Sequence, residues 1–179
     1  MFQTCLNTST IKPQPLLDKI RLTAEAGFDA VELWINDVYE HIGRGGEVRD
    51  VENFLSDHGL VVPSMIALRQ WGEAVGREYE LMLEEARRRM ELVARIGATY
   101  VVATPPREPC DFNQLVDRYG DLLEIGRQAG VYPTFEYISF FDGAQTLDIA
   151  WQVVQAVGDS DATLIADAFH TWNIPSTDG

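Results

Sequence analysis

The chain is poor in lysine, cysteine and histidine. Lys12 and Lys19 are its only lysines, and acidic residues outnumber basic ones 28 to 14, for a formal net charge of −14. Nucleic-acid binders concentrate Lys and Arg to neutralise phosphates. This charge balance therefore argues against DNA, RNA or an anionic membrane as partner. Cys5 and Cys110 are far apart and make no disulfide framework. The opening segment MFQTCLNTSTIKPQPL has neither the basic stretch nor the apolar run of a secretory signal. No apolar run approaches the ~20 residues that cross a bilayer. A cytoplasmic setting with free thiols is the expectation. Neither GxGxxG nor GxxxxGK[ST] occurs, which removes the usual nucleotide-phosphate loops.

What the chain does have is 46% hydrophobic residues in 179, enough to bury one core, and one domain over 1–179 is expected. Five times a helix-like stretch ends in glycine and a β-rich run follows. Gly27 precedes FDAVELWI, Gly59 LVVPSMIAL, Gly97 ATYVVAT, Gly130 VYPTFEYI, and Gly158 stands shortly before ATLIADAF. Glycine past a helix end supplies a left-handed cap. Short apolar runs rich in Val, Ile, Tyr and Phe are what strands covered on both faces require.

Between the runs lie helical stripes. Tyr79, Met82, Leu83, Ala86, Met90, Val93 and Ala94 form the longest, with Glu84 to Glu91 read as its solvated face. Leu147, Ala150, Trp151, Val154 and Val157 form another, as do Leu115, Tyr119, Leu122 and Leu123, and Leu16, Leu17, Ile20 and Ala24. With a first strand at about 2–6 the count is six strands, each but the last followed by a helix. Strict alternation implies a parallel sheet with right-handed crossovers. Two α/β architectures satisfy it, a (β/α)8 TIM barrel and an open doubly wound sheet. The latter normally carries a glycine-rich loop after its first strand, where this chain has Asn7-Thr8-Ser9-Thr10. Gly43, Gly45 and Gly46 read as a turn or a mobile active-site loop.

In a barrel, function sits where strands end. The expected strand ends are Asn7, Glu32 with Trp34, Met65, Thr104, Glu136, and Asp167 with His170. A carboxylate inside an apolar strand is costly to desolvate unless paired; a divalent cation is one partner, and an arginine beside Glu136 is another. Asp167 has the alternative of capping a turn, and His170 that of an ordinary hydrogen-bonded histidine. His41 and His58 read as structural, His58 at a helix end. Trp71 and Trp172 can stack on a sugar or simply pack, and Pro105-Pro106 stiffens the loop after Thr104.

The segments GFDAVELW, IGATYVVATP, PTFEYISF and LIADAFHTW resemble successive strand ends of the xylose isomerase-like TIM barrels, over nearly the whole chain. That family includes ketose 3-epimerases, hydroxypyruvate isomerases, inosose isomerases and dehydratases and, more distantly, apurinic-site endonucleases. The resemblance implies that Glu136 ligates a divalent metal (Mn, Mg, Co or Zn) and moves a proton, with Asp167 as second ligand. His170 would contact a substrate hydroxyl or, in the endonuclease branch, a second metal. Glu32, Trp34, Asn7, Thr104 and Asp142 would contact substrate. The implied activity is isomerisation or epimerisation of a sugar, sugar phosphate or polyol ketone by carboxylate-mediated proton transfer through an enediolate.

The family also places a His on strand seven and a Glu on strand eight. About six βα units account for this chain, so the expectation is a barrel incomplete at its C-terminus, with edges at strands one and six that favour self-association, including a homo-oligomer. Two other functions compete. A non-catalytic barrel serving as a binding module is one; an endonuclease is disfavoured by the charge and by having three histidines in all.

Overall fold

The computed structural model describes residues 2–173. Its strands are β1 (Cys5–Asn7), β2 (Ala30–Trp34), β3 (Ser64–Leu68), β4 (Tyr100–Ala103), β5 (Tyr132–Phe135) and β6 (Thr163–Leu164). The helices are α1 (Leu16–Glu25), α2 (Ile35–Gly43), α3 (Val48–Asp57), α4 (Arg77–Ile96), α5 (Phe112–Ala129), α6 (Leu147–Val157) and α7 (Ala168–Trp172). All five expected cap glycines have positive φ. At the end of α4, Gly97 at φ 87° turns the chain so that the Ala98 N–H donates to the Val93 carbonyl at 3.1 Å. This closes the last turn of the helix and aims the chain into β4.

Every pairing is parallel and the order is β1-β2-β3-β4-β5-β6. A doubly wound sheet reverses strand order at a switch point. An uninterrupted sequence order with crossovers of one hand instead places the helices on one side and curls the sheet as a barrel does. The order thus decides between the two architectures. Among the described residues β1 and β6 each pair on one side only.

The structure differs from the sequence reading in several places. The first strand starts at Cys5 rather than near Phe2. The second unit holds two helices, α2 and α3, joined by a turn containing Gly45 and Gly46. The sixth strand is two residues long, and Asp167 lies beyond it at the head of α7, a helix the pattern had not suggested. In α6 the inward face is Ala150 and Val153, while Trp151 is 52% exposed. An amphipathic stripe read from hydropathy alone tolerates such a rotation, because Trp is often only partly buried. The face from Glu84 to Glu91 is not wholly solvated either: Glu85 and Arg89 are half-buried.

The core beneath β5 is aromatic. Trp71, Tyr119 and Phe135 are buried with ring centroids 5.4–6.3 Å apart. Trp71 is therefore a packing residue at 1% exposure. The Tyr119 hydroxyl lies 3.0 Å from the Pro133 carbonyl and 2.9 Å from that of Thr163, and accepts the Thr163 N–H at 3.2 Å. One side chain of α5 thereby ties β5 to the short β6.

Gly126 lets α5 approach β5 closely. A Cβ there would lie 2.5 Å from Pro133 Cδ and 2.6 Å from the Val131 carbonyl oxygen. Because the second contact is backbone, the strand rather than a rotamer must yield. Gly126→Ala is expected to destabilise the fold by about 1–3 kcal/mol, measured by urea unfolding; an unchanged midpoint would refute this tight approach.

Candidate active site

Parallel register brings the acidic side chains together. Asn7 pairs with Glu32 across β1 and β2, and Asn7 Nδ2 donates to Glu32 Oε2 at 2.7 Å. The Ser64 hydroxyl, at the start of β3, donates to the other carboxylate oxygen of Glu32. Burial raises the affinity of Glu32 for a proton; the Ser64 and Asn7 donors oppose this, and the charge of Asp167 adds to it.

Glu136 directly follows β5, with its N–H on the Ala103 carbonyl at 3.2 Å. Among the described residues its carboxylate has neither a hydrogen-bond donor nor a salt-bridge partner. Burial, then the negative charges of Asp167 and Glu32, push it up to about 7, with Arg69 pulling the other way. Of the readings left open for Glu136, close pairing with an arginine is thus not what the structure shows.

Asp167 caps α7, accepting the His170 N–H on Oδ1 at 2.9 Å. Capping uses one oxygen and leaves the other for the cluster. The buried Tyr137 hydroxyl donates to the Asp167 carbonyl at 2.9 Å and contacts the Thr171 hydroxyl, fixing this turn against β5. His170 is buried between Phe140 and Phe169 and sits on a helix rather than at a strand end. Its Nδ1 faces the Ser139 N–H at 3.4 Å and the Ser139 hydroxyl at 3.3 Å. An N–H aimed at Nδ1 favours the tautomer in which Nε2 carries the proton.

Glu136, Asp167 and His170 each offer one donor atom, all within 4.8 Å of one another. The charge of Asp167, that close, disfavours ionisation of Glu136. Their carboxylate oxygens suit a divalent ion such as Mn²⁺, Mg²⁺, Co²⁺ or Zn²⁺. The residues present fit a metal, and Glu136 and Asp167 are those that would hold it.

A cleft of about 960 Å³ opens over this cluster, and Asn7, Trp34, Thr104, Glu136, Asp167 and His170 all line it. Asp142 does not. It is exposed and accepts from Gln145 Nε2 at 2.7 Å, which gives no support to its expected substrate contact. Glu32 lies behind the lining, engaged with Asn7 and Ser64, a place better suited to holding Asn7 than to touching substrate. The cleft also contains Arg69, Arg89 and Arg107, none of which the strand-end reading found. The signal was present for Arg69: β3 ends at Leu68, not Met65, and Arg69 is the next residue. Arg89 was hidden in a helix face read as solvated.

A one-sided parallel β/α sheet in sequence order, with carboxylates gathered at its strand ends, is the architecture of an α/β barrel. The chain belongs to the xylose isomerase-like TIM barrel family, whose model matches residues 20–178. It is 28% identical over 169 residues to a 3-dehydroshikimate dehydratase of Pseudomonas aeruginosa, covering 89% of this chain and 25% of that protein. It is 22% identical over 174 residues to an inosose isomerase of Bacillus velezensis, covering 93% of this chain and 62% of that one. The chain thus spans a quarter to about three-fifths of the length of these relatives. In fold it is similar to the IolI protein solved with a zinc atom, with a TM-score of 0.87 at 20% identity, over 98% of this chain and 66% of that one. No described helix is long and apolar enough to cross a membrane.

The raised affinity of Glu136 for a proton gives a signed prediction. Between its ordinary 4.5 and about 7 the folded state keeps a proton that the unfolded state has released. Metal-free protein should therefore lose stability as pH rises through this window, by about 2–3 kcal/mol. Glu136→Gln removes the charge and should be more stable than the parent at pH 8 in chelator, yet similar at pH 5. Urea unfolding at both pH values measures it; parallel pH profiles for the two proteins would exclude a strained carboxylate.

Proposed function

We propose that this barrel carries the active site of a divalent-metal-dependent isomerase, epimerase or dehydratase acting on a sugar, sugar phosphate or polyol ketone. The observation that carries the reading is the Glu136 carboxylate, half-buried beside Asp167, with no cationic partner. A divalent ion there supplies positive charge beside the substrate carbonyl and so favours loss of a proton from the neighbouring carbon. Glu136, with an affinity for protons matched to neutral pH, takes that proton and can return it. Asp167 shares the work of holding the ion, and its backbone is fixed by Tyr137. His170, protonated on Nε2, donates to a substrate oxygen. Asn7 and Thr104, both on the cleft wall, supply further hydrogen bonds, and Trp34 a flat apolar surface.

The names of the relatives support the same chemistry. A 3-dehydroshikimate dehydratase and an inosose isomerase are similar in sequence. A D-psicose 3-epimerase is similar in fold, with a TM-score of 0.78 at 15% identity. A small soluble substrate also suits a chain of net charge −14, which repels polyphosphates.

Metal content and carbon-bound hydrogen exchange test the proposal. The parent protein is expected to bind Mn²⁺ or Zn²⁺ stoichiometrically, and Glu136→Gln and Asp167→Asn to lose most of it. Exchange of the hydrogen beside the carbonyl of a ketose in D₂O, followed by NMR, should fall at least ~100-fold in Glu136→Gln. Unchanged metal content in both variants would overturn the ligand assignment, and metal uptake without exchange would favour a binding module. Among the described residues β1 and β6 each pair on one side only, and self-association of the isolated chain is the expected outcome; a monomeric peak at all concentrations in size-exclusion chromatography would refute it.

A further inference from the structure

The loop between β3 and α4 is braced from outside the cleft. Arg69, Gln70, Trp71 and Glu73 of this loop line the cleft. Gln70 has φ 63°, a left-handed conformation that is costly for a residue with a side chain and persists only where the surroundings hold it. Arg118 of α5 contacts the loop without lining the cleft. At 8% exposure it is the only arginine buried among the described residues. Among those residues it has no carboxylate within salt-bridge distance, so its burial is costly unless other groups meet the charge. The groups that do so belong to the loop and its exit. Arg118 Nη1 donates to the Gly72 carbonyl, which also accepts from Gln114 Nε2 at 3.0 Å. The guanidinium lies over the ring of Tyr79, in the first turn of α4, at 4.4 Å, and the Tyr79 hydroxyl donates to Asp121 of α5 at 2.5 Å. One cation thus grips the loop at its middle and at its end.

The loop is wedged as well. A Cβ on Gly72 would lie 2.3 Å from Pro106 Cγ, and one on Gly143 would lie 2.5 Å from the Pro106 carbonyl oxygen. Pro106 therefore fills the space left by two glycines, one from each neighbouring loop. The Asp142 and Gly143 N–H groups donate to the Arg107 and Pro106 carbonyls at 2.9 and 3.2 Å. The loops after β3, β4 and β5 form one continuous wall, and Glu136 opens the last of them.

We propose that Arg118 is a positioning residue for the cleft: without touching substrate it fixes the β3–α4 loop, and through the Pro106 wedge the loops after β4 and β5, in the shape that binds substrate. Its part in binding rests on the enzymatic reading above; the bracing of the loop does not. A charge-assisted bond to a carbonyl away from water is stronger than a neutral one. A planar guanidinium donates in its plane while its face lies on a ring, a combination that an ammonium does not offer. Substrate then meets a wall that is already ordered, which removes part of the entropy lost on binding. Glu136 and Asp167 are held separately, by β5 and by Tyr137. Loss of Arg118 therefore weakens substrate binding and spares metal binding and proton transfer.

Hydrogen–deuterium exchange of the full chain, read by mass spectrometry, tests the brace. The Ala74 N–H, bonded to the Gln70 carbonyl at 3.3 Å, reports opening of the loop. In Arg118→Met, exchange across residues 69–78 should rise about tenfold or more while β4 and α1 keep the parental rates. Arg118→Lys keeps the charge without the planar fork and should fall between the two. Should Arg118→Met fail to fold, the lysine variant decides alone: its exchange must exceed the parent's in 69–78 and nowhere else. Equal exchange in parent and variants, or acceleration spread over the whole chain, would overturn the proposal. In the ketose assay in D₂O, Arg118→Met should raise KM about tenfold at nearly unchanged kcat, with normal Mn²⁺ uptake. A fall in kcat at constant KM, or loss of the metal, would count equally against it. A parent protein that exchanges no ketose hydrogen removes the enzymatic reading alone, and exchange in 69–78 then decides the bracing by itself.

Discussion

The electrostatic conflict between Glu136, Asp167 and Glu32 organises the rest of the site. The charge of Asp167 disfavours that of both Glu32 and Glu136, and the protein treats the three carboxylates differently. Glu32 is met by two neutral donors, Asn7 and Ser64. Asp167 spends one oxygen on the first turn of α7. Among the described residues the Glu136 carboxylate has no hydrogen-bond donor and no salt-bridge partner. A buried charge without a partner is costly, and a fold that retains one does so where the charge has work to do. The cost is relieved by protonation near neutral pH or by a cation.

Keeping the conflict in place depends on rigid support. The Trp71–Tyr119–Phe135 cluster lies directly below Glu136, and Tyr119 links β5 to β6. Tyr137 then ties the turn of Asp167 to the end of β5. Each contact is neutral and buried, so the supporting shell adds no further charge to the cluster. The proximity of Gly126 to Pro133 sets the depth of α5 against the same strand. The aromatic core thus serves the site as well as stability, by holding two carboxylates closer than their charges favour.

Much of this was legible beforehand. The five cap glycines marked the helix ends because no other residue adopts their backbone conformation cheaply. The alternation of runs implied a parallel sheet. Glu136 and Asp167 stood out as carboxylates inside apolar surroundings, a conflict visible without coordinates. A spacing of six residues past Glu136 says nothing about which way a loop folds, and Asp142 faces Gln145. Arg69 and Arg107 escaped notice because an arginine just past a strand is ordinary; that both border the cleft is a three-dimensional fact.

The sequence by itself determined the βα repeat, the strand-end positions of the acidic residues and the family resemblance, because periodicity and glycine placement are local properties. Tertiary structure decided the rest. Strand order chose a barrel-like arc over a doubly wound sheet, since both share the same alternation and differ only in which neighbours pair. Folding also brought residues 136, 167 and 170 within ligand distance and set Arg69, Arg89 and Arg107 on the wall of the same cleft. Convergence of that kind depends on register and twist summed over many residues, which no local pattern encodes.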